Sequence, residues 1–136
     1  MAARGRHGAR RLLVQALYQF QISGHAEDEL IEQFSAREEI ERIDSGYFLS
    51  LLREIIEGAD ALDGLIAESA DRPVAHLDPI ERAVLWVGLA ELESHPDVPF
   101  KVVLNEAVEL SKQFGAEDGH RFVNAVLDKA AKSLRG

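Results

Sequence analysis

The residues that could carry out catalysis or bind a metal are few and scattered along the chain. The chain has five histidines, which are His7, His25, His76, His95 and His120. None of them belongs to an H-E-x-x-H pattern. Glu117 and His120 have the E-x-x-H spacing of carboxylate di-metal bundles, but such a site needs this motif twice and glutamates from two other helices. The sequence has no cysteine and no phosphate-binding or nucleophile-elbow motif. We therefore predict a protein that is not an enzyme and has no metal or cofactor.

A polar strip along the first amphipathic segment is better suited to binding. Arg11, Gln15 and Tyr18 are spaced i, i+4, i+7, on a face different from the apolar stripe. An arginine, an amide and an aromatic ring on one strip can contact a phosphate, a base edge and a base face, which is how single-stranded RNA is largely bound. The alternative is that Tyr18 packs at the rim of the core with its hydroxyl in water.

Two further aromatic residues lie beside arginines. Arg82 and Trp86 are an i, i+4 pair off the apolar stripe, and Trp86 could stack on a base, fill a pocket of a partner or form a half-buried edge of the core. Phe122 follows Arg121 at the start of the last helical segment, where it could pair inward with Val126 or point outward. The spacing leaves both questions open.

The charge is distributed unevenly. The chain has 15 basic and 24 acidic residues and a net charge of −9, yet four arginines precede Glu27, the first acidic residue (Arg4, Arg6, Arg10 and Arg11). A basic arm on an acidic body indicates a polyanionic partner, although a solubilising disordered terminus is an equal alternative. No segment has the composition of a membrane span or a signal peptide, so we expect a cytoplasmic protein.

Apolar residues recur at helical spacing nearly throughout, and turn residues separate the segments. Asp78 followed by Pro79 and Glu81 supplies an N-cap, a proline at the first helical position and a carboxylate in the first turn. Gly115 ends the next helix, and the last begins near Asp118. A chain of 136 residues with 46% apolar residues suits one domain, and six or seven helices with short loops predict an all-α bundle.

The C-terminal third resembles a known family. The stretch VPFKVVLNEAVELSK at 98–112, with FG at 114–115 and FVNAVL at 122–127, strongly resembles the signature of the NusB family, including the spacing of its parts. Residues 10–18 resemble the family's opening helix and 78–92 its central one. The resemblance implies an all-α, NusB-type fold of two perpendicular three-helix bundles, as a single RNA-binding domain over 1–136, with 1–8 as a flexible basic arm.

The resemblance also implies a function in transcription antitermination. The family binds the boxA element of ribosomal-RNA leader transcripts together with the small-subunit ribosomal protein that acts as NusE, and the heterodimer joins NusA and NusG on RNA polymerase. By position, the RNA surface would comprise Arg4, Arg6, Arg10, Tyr18, Asp118, Arg121 and Phe122, to which the residue patterns add Gln15 and Arg82. Glu81 would face NusE. Trp86 departs from the basic residue expected at its position.

The most distinctive part of this signature is expected to be structural. Asn105, Glu106 and Glu109 lie on one predicted helix and are interpreted as a polar network that ties it to the other bundle. Two other functions remain open: a helical protein–protein adaptor without an RNA role, and an RNA-binding module related to those fused to RNA methyltransferases. The second could not itself be a catalyst, because the sequence has no methyl-donor motif.

Overall fold

The protein is all-α. The computed structural model describes residues 2–135, with side chains from residue 5 onward, and within that range it contains no strand and no helix long and apolar enough to cross a membrane. The seven α-helices of these residues are α1 (Ala2–Ser23), α2 (Glu27–Ser35), α3 (Ser45–Glu57), α4 (Ala59–Ser69), α5 (Pro79–Ser94), α6 (Phe100–Phe114) and α7 (Gly119–Leu134). Two 3-10 helices, Glu38–Arg42 and Val74–His76, precede α3 and α5. The predicted all-α class is confirmed.

The helix ends follow from local sequence. The Asp44 carboxylate caps α3 by accepting the backbone N–H of Tyr47 at 3.0 Å, and Asp78 caps α5 by accepting that of Ile80 at 2.7 Å. Gly24 ends α1 with a φ of 68°, a left-handed conformation that glycine adopts at little cost. The predicted start of the helix after Asp78 is confirmed.

Helix α5 is shared by two groups of helices. It contacts α1 and α3 on one side and α4, α6 and α7 on the other, so every residue from 83 to 92 is buried. Gly88 permits the close approach of α7, since a Cβ atom there would lie 2.9 Å from both terminal methyl groups of Leu127. The core of the molecule is therefore centred on α5.

The N-terminal residues are part of this fold. The prediction of a flexible arm over 1–8 is wrong for the described part, because residues 2–8 form the first two turns of α1. The carbonyl of Gly5 accepts the backbone N–H of Asp44 at 2.9 Å, and a Cβ atom at Gly8 would lie 2.5 Å from Cγ2 of Ile43. The two glycines let α1 pack closely against the segment before α3, which orders the arm.

Arg135 links the end of α7 to the end of α5. The last carbonyls of a helix have no partner within the helix, and here a guanidinium supplies one. Arg135 donates to four backbone carbonyls at 2.6 to 3.0 Å: those of Glu91, Leu92, His95 and Val98. Arg135 therefore binds both the last turn of α5 and the loop after it.

Candidate nucleic-acid interface

Three of the predicted RNA-binding residues share one cleft. It has a volume of about 550 Å³ and lies between α7 and the turn that follows α4. Its lining residues, which define what we call the α7 cleft, are Ser69, Asp71, Arg72, Asp118, Arg121, Phe122, Ala125, Val126 and Lys129. Positions 118, 122, 125 and 129 recur every three or four residues and so fall on one face of α7. The grouping of Asp118, Arg121 and Phe122 agrees with the prediction.

An arginine and an aromatic ring meet inside the α7 cleft. Phe122 is half-buried, and the guanidinium carbon of Arg72 lies 4.0 Å from the centroid of its ring, a cation–π contact. Arg121 and Lys129 are exposed and form no ion pair with any described residue. Arg72 and Lys129 were not among the residues predicted from the sequence to bind RNA.

Asp118 places a carboxylate at the same cleft. It is exposed and directly precedes α7, but its side chain makes no capping hydrogen bond. The turn is held by backbone bonds instead, including that from the N–H of Gly119 to the carbonyl of Ala116 at 3.0 Å. The carboxylate is therefore free to repel a nearby phosphate.

Glu81 lies behind the α7 cleft and not on an open face. It is only 7% exposed, and a Cβ atom at Gly119 would lie 2.7 Å from its Oε2 atom, so the carboxylate is against the first residue of α7. Burial raises the pKa of the Glu81 carboxyl, Asp78 raises it further, and the charge of Arg72 acts in the opposite direction. The predicted contact with NusE stays a prediction, and little of this side chain is accessible for it.

Arg10 is a structural residue, and its predicted RNA contact is wrong. It is 4% exposed, and its Nε donates to both carboxylate oxygens of Glu91 at 2.9 and 3.1 Å, while Nη1 donates to Glu106 at 3.0 Å. The hydroxyl of Tyr47 donates to the same Glu91 carboxylate. Burial and the charge of Glu91 raise the pKa of Tyr47 far above its ordinary value, so the hydroxyl remains a donor.

The expected polar network on α6 is present only in part. Glu106 binds Arg10 and also the ring of His7, whose Nδ1 lies 2.9 Å from Oε1, and so ties α6 to α1. Asn105 and Glu109 are exposed and form no side-chain hydrogen bond within the described residues. The structural interpretation is therefore confirmed for Glu106 alone.

Arg6 and Arg11 line, with Arg10, a separate groove of about 690 Å³ between α1 and the start of α6. The guanidinium of Arg6 lies 4.3 Å from the centroid of the Tyr47 ring, and its Nη1 is 3.4 Å from a carboxylate oxygen of Asp97. Arg11 faces the side-chain amide of Gln113 at 2.8 and 3.0 Å once the amide oxygen is turned toward it. The side chain of Arg4 lies outside the described residues.

Tyr18 is 41% exposed, so its ring is accessible for the predicted RNA contact. Gln15 is less available, because its side-chain oxygen accepts Nη1 of Arg37 at 3.1 Å. Gln21, one turn beyond Tyr18, donates to the carbonyl of Pro79 at 2.8 Å. The end of α1 that carries Tyr18 thus contacts the start of α5, which in turn borders α7, whereas Arg6 lies roughly 18 Å away along α1 at about 1.5 Å per residue.

Trp86 belongs to the core. It is 1% exposed, and its Nε1–H donates to Oδ1 of Asp63 at 2.9 Å. The same carboxylate accepts Nε of Arg82 at 3.1 Å, and the Arg82 guanidinium lies 4.7 Å from the centroid of the Trp86 ring. The prediction that Arg82 binds RNA is therefore not supported by its surroundings, since Asp63 already neutralises it.

The E-x-x-H pair does not form a cluster suited to a metal. His120 directs Nδ1 to the backbone carbonyl of Glu117 at 3.2 Å and not to its carboxylate. Across residues 2–135 no group of three or more histidine, aspartate or glutamate side chains could hold a metal ion. The chemistry of the α7 cleft is therefore that of cations, an aromatic ring and a free carboxylate.

The comparisons with known proteins agree with one another. The sequence model of the NusB family matches residues 7–132. The transcription antitermination protein NusB of Pasteurella multocida is 45% identical over 129 residues, which are 95% of this chain and 90% of that protein. The protein of the same name from Serratia proteamaculans is 44% identical over 135 residues, which are 99% of this chain and 98% of that protein.

Two solved structures share the fold. T. maritima NusB has a TM-score of 0.77 and 26% identity, and the match covers 93% of this chain and 90% of that one. A crystal structure of the antitermination factors NusB and NusE in complex with dsRNA has a TM-score of 0.78 and 25% identity, with 96% and 98% covered. Because sequence and fold both match over nearly the whole length, the chain belongs to the NusB family.

Proposed function

We propose that the chain is a transcription antitermination factor that binds RNA together with the ribosomal protein NusE. Its relatives carry the name of such a factor, and one similar structure is a complex of NusB, NusE and RNA. The observation that carries the proposal is the α7 cleft, where Asp118, Arg121 and Phe122 converge on an accessible surface. Cations around an aromatic ring suit single-stranded RNA, whose unstacked bases can be bound through their faces.

The RNA we propose is the boxA element of ribosomal-RNA leader transcripts, and the resulting complex joins NusA and NusG on RNA polymerase in the cytoplasm. Tyr18 extends the RNA surface beyond the α7 cleft, because it is exposed near the start of α5. Arg6 offers a further contact at the far end of α1. Arg10 and Arg82 are not part of the proposed surface, since carboxylates already bind their guanidinium groups.

Electrostatics give the proposed partner a physical role. A chain with a net charge of −9 repels RNA as a whole, and only a few exposed cations lie at the α7 cleft. Each single-stranded phosphate that is neutralised contributes a salt dependence of roughly 0.7 log units of affinity per log unit of salt. The isolated chain should therefore bind weakly, and a basic ribosomal partner should strengthen binding and steepen the salt dependence.

Titration of fluorescently labelled boxA RNA tests this proposal. The chain alone, NusE alone and the mixture are compared at several salt concentrations, with a scrambled RNA of the same length as control. We expect the mixture to bind boxA more tightly than either protein, and more tightly than it binds the scrambled RNA. Equal binding by the chain and the mixture contradicts the cooperative role, and a chain that binds NusE but adds nothing to RNA affinity is an adaptor.

A further inference from the structure

One face of the Phe122 ring, in the α7 cleft, is covered by another side chain. Arg72, from the turn after α4, places its guanidinium carbon 4.0 Å from the ring centroid. An RNA base therefore meets the guanidinium before it meets the ring. We propose that Arg72, backed by Phe122, is the platform on which one RNA base stacks; this inference rests on the proposed function and assigns it a residue.

The guanidinium of Arg72 is free to act as this platform. Its side chain is 45% exposed, and its one ion pair among the described residues is with Asp71, itself largely solvated, at 3.4 Å. A guanidinium is planar and weakly hydrated, so it can stack on an aromatic ring with one face and receive a base on the other. Phe122 holds the guanidinium in place and does not itself contact the base.

The walls of the cleft favour a base over an isolated phosphate. Ala125, which is exposed, lines it beside the half-buried Phe122 and provides apolar surface that a base face can cover. A phosphate gains nothing from apolar walls, because it needs hydrogen-bond donors and water. Arg121 and Lys129 are exposed at the same cleft and are placed to contact the phosphates on either side of the stacked base.

Two substitutions at one position separate stacking from charge. Arg72→Lys keeps the positive charge but loses the planar group, whereas Arg72→Gln loses the charge as well. In the mixture with NusE, we expect Arg72→Lys to weaken boxA binding by at least about fivefold with an unchanged salt dependence, as loss of one stacked base implies. Arg72→Gln should weaken binding at least as much, because it loses both the planar group and the charge.

Arg53→Lys, at an exposed position on α3, is the matched control and should bind as the unmodified chain does. Phe122→Leu is measured alone and in the Arg72→Lys background. If the two residues act as one unit, Phe122→Leu weakens RNA binding less in that background than it does alone. Thermal melts of all variants verify that the fold is retained.

The outcomes distinguish this inference from the proposed function. If the unmodified mixture binds boxA and Arg72→Lys binds equally well, Arg72 is at most a point charge on a phosphate and the platform is wrong. Additive losses from Arg72→Lys and Phe122→Leu also overturn it. If the unmodified mixture fails to bind boxA at all, the proposed function itself fails, and this inference falls with it.

Discussion

At the scale of single residues, the strongest interactions surround the guanidinium of Arg10. Glu91 binds it with both carboxylate oxygens, Glu106 binds a second edge, and the hydroxyl of Tyr47 satisfies Glu91 from the other side. A buried ion pair of this kind contributes little net stability, but removal of one member leaves an uncompensated charge in the interior. Each member of the group therefore depends on the others.

We predict that Glu91→Ala lowers the free energy of unfolding by about 3–5 kcal/mol, because it leaves Arg10 buried without its principal partner. Urea denaturation followed by circular dichroism measures the change. Glu93→Ala, at an exposed position on the same helix, is the control and should change the free energy by less than about 0.5 kcal/mol. A similar small effect at Glu91 would show that water or a rearrangement compensates Arg10.

At Asp118, a substitution is expected to strengthen an interaction instead of weakening one. We predict that Asp118→Asn raises RNA affinity, because a free carboxylate at the α7 cleft repels phosphate. The melting temperature should change little, since the side chain makes no capping hydrogen bond that the substitution would break. RNA titration and a thermal melt of the same variant provide both readings, and unchanged or weaker binding would place Asp118 outside the RNA site.

At the scale of helices, Arg135 joins two elements that are distant in sequence. We predict that Arg135→Ala lowers the free energy of unfolding by about 1–3 kcal/mol, because it removes the hydrogen-bond donor to the carbonyls of Leu92 and Val98. Lys132→Ala, in the exposed last turn of α7, is the matched control and should have almost no effect. Equal melting temperatures for the two variants would show that water replaces the guanidinium.

The helices could be predicted from the sequence far better than the faces they present. Asp44, Asp78 and Gly24 act locally, so their effects on helix ends are visible in the adjacent residues. The environment of Arg10 depends on carboxylates 81 and 96 positions away, which no local spacing reveals. The contact of Arg72 with Phe122 is likewise made only by the tertiary fold.

The same distinction explains the candidate site. Asp118, Arg121 and Phe122 were predicted together from the family resemblance at the start of the last helix, and the structure places them on one cleft. Trp86 and Arg82 were predicted from an i, i+4 spacing that holds equally for an exposed pair and for a pair closed by Asp63. Ion pairs with carboxylates that are distant in sequence therefore account for most of the RNA contacts that were predicted incorrectly.

At the scale of the whole molecule, the two groups of helices should unfold together. Both pack on α5, so neither retains its core if the other opens. Trp86, the single tryptophan, lies buried on that shared helix and reports its environment. We predict that tryptophan fluorescence and far-ultraviolet circular dichroism give one coincident transition in urea, as in a two-state protein. Separate midpoints would mean that one group is stable alone.

The complete burial of α5 between residues 83 and 92 also determines how fast its amides exchange hydrogen with solvent. Its backbone amides can exchange hydrogen with solvent only when the molecule opens, and a helix covered on all sides opens last. The amides of α5 should therefore exchange through global unfolding, at rates that follow the overall stability. Those of the first turn of α7 should exchange through small local openings, which leaves the RNA surface able to adjust while the centre of the molecule stays closed.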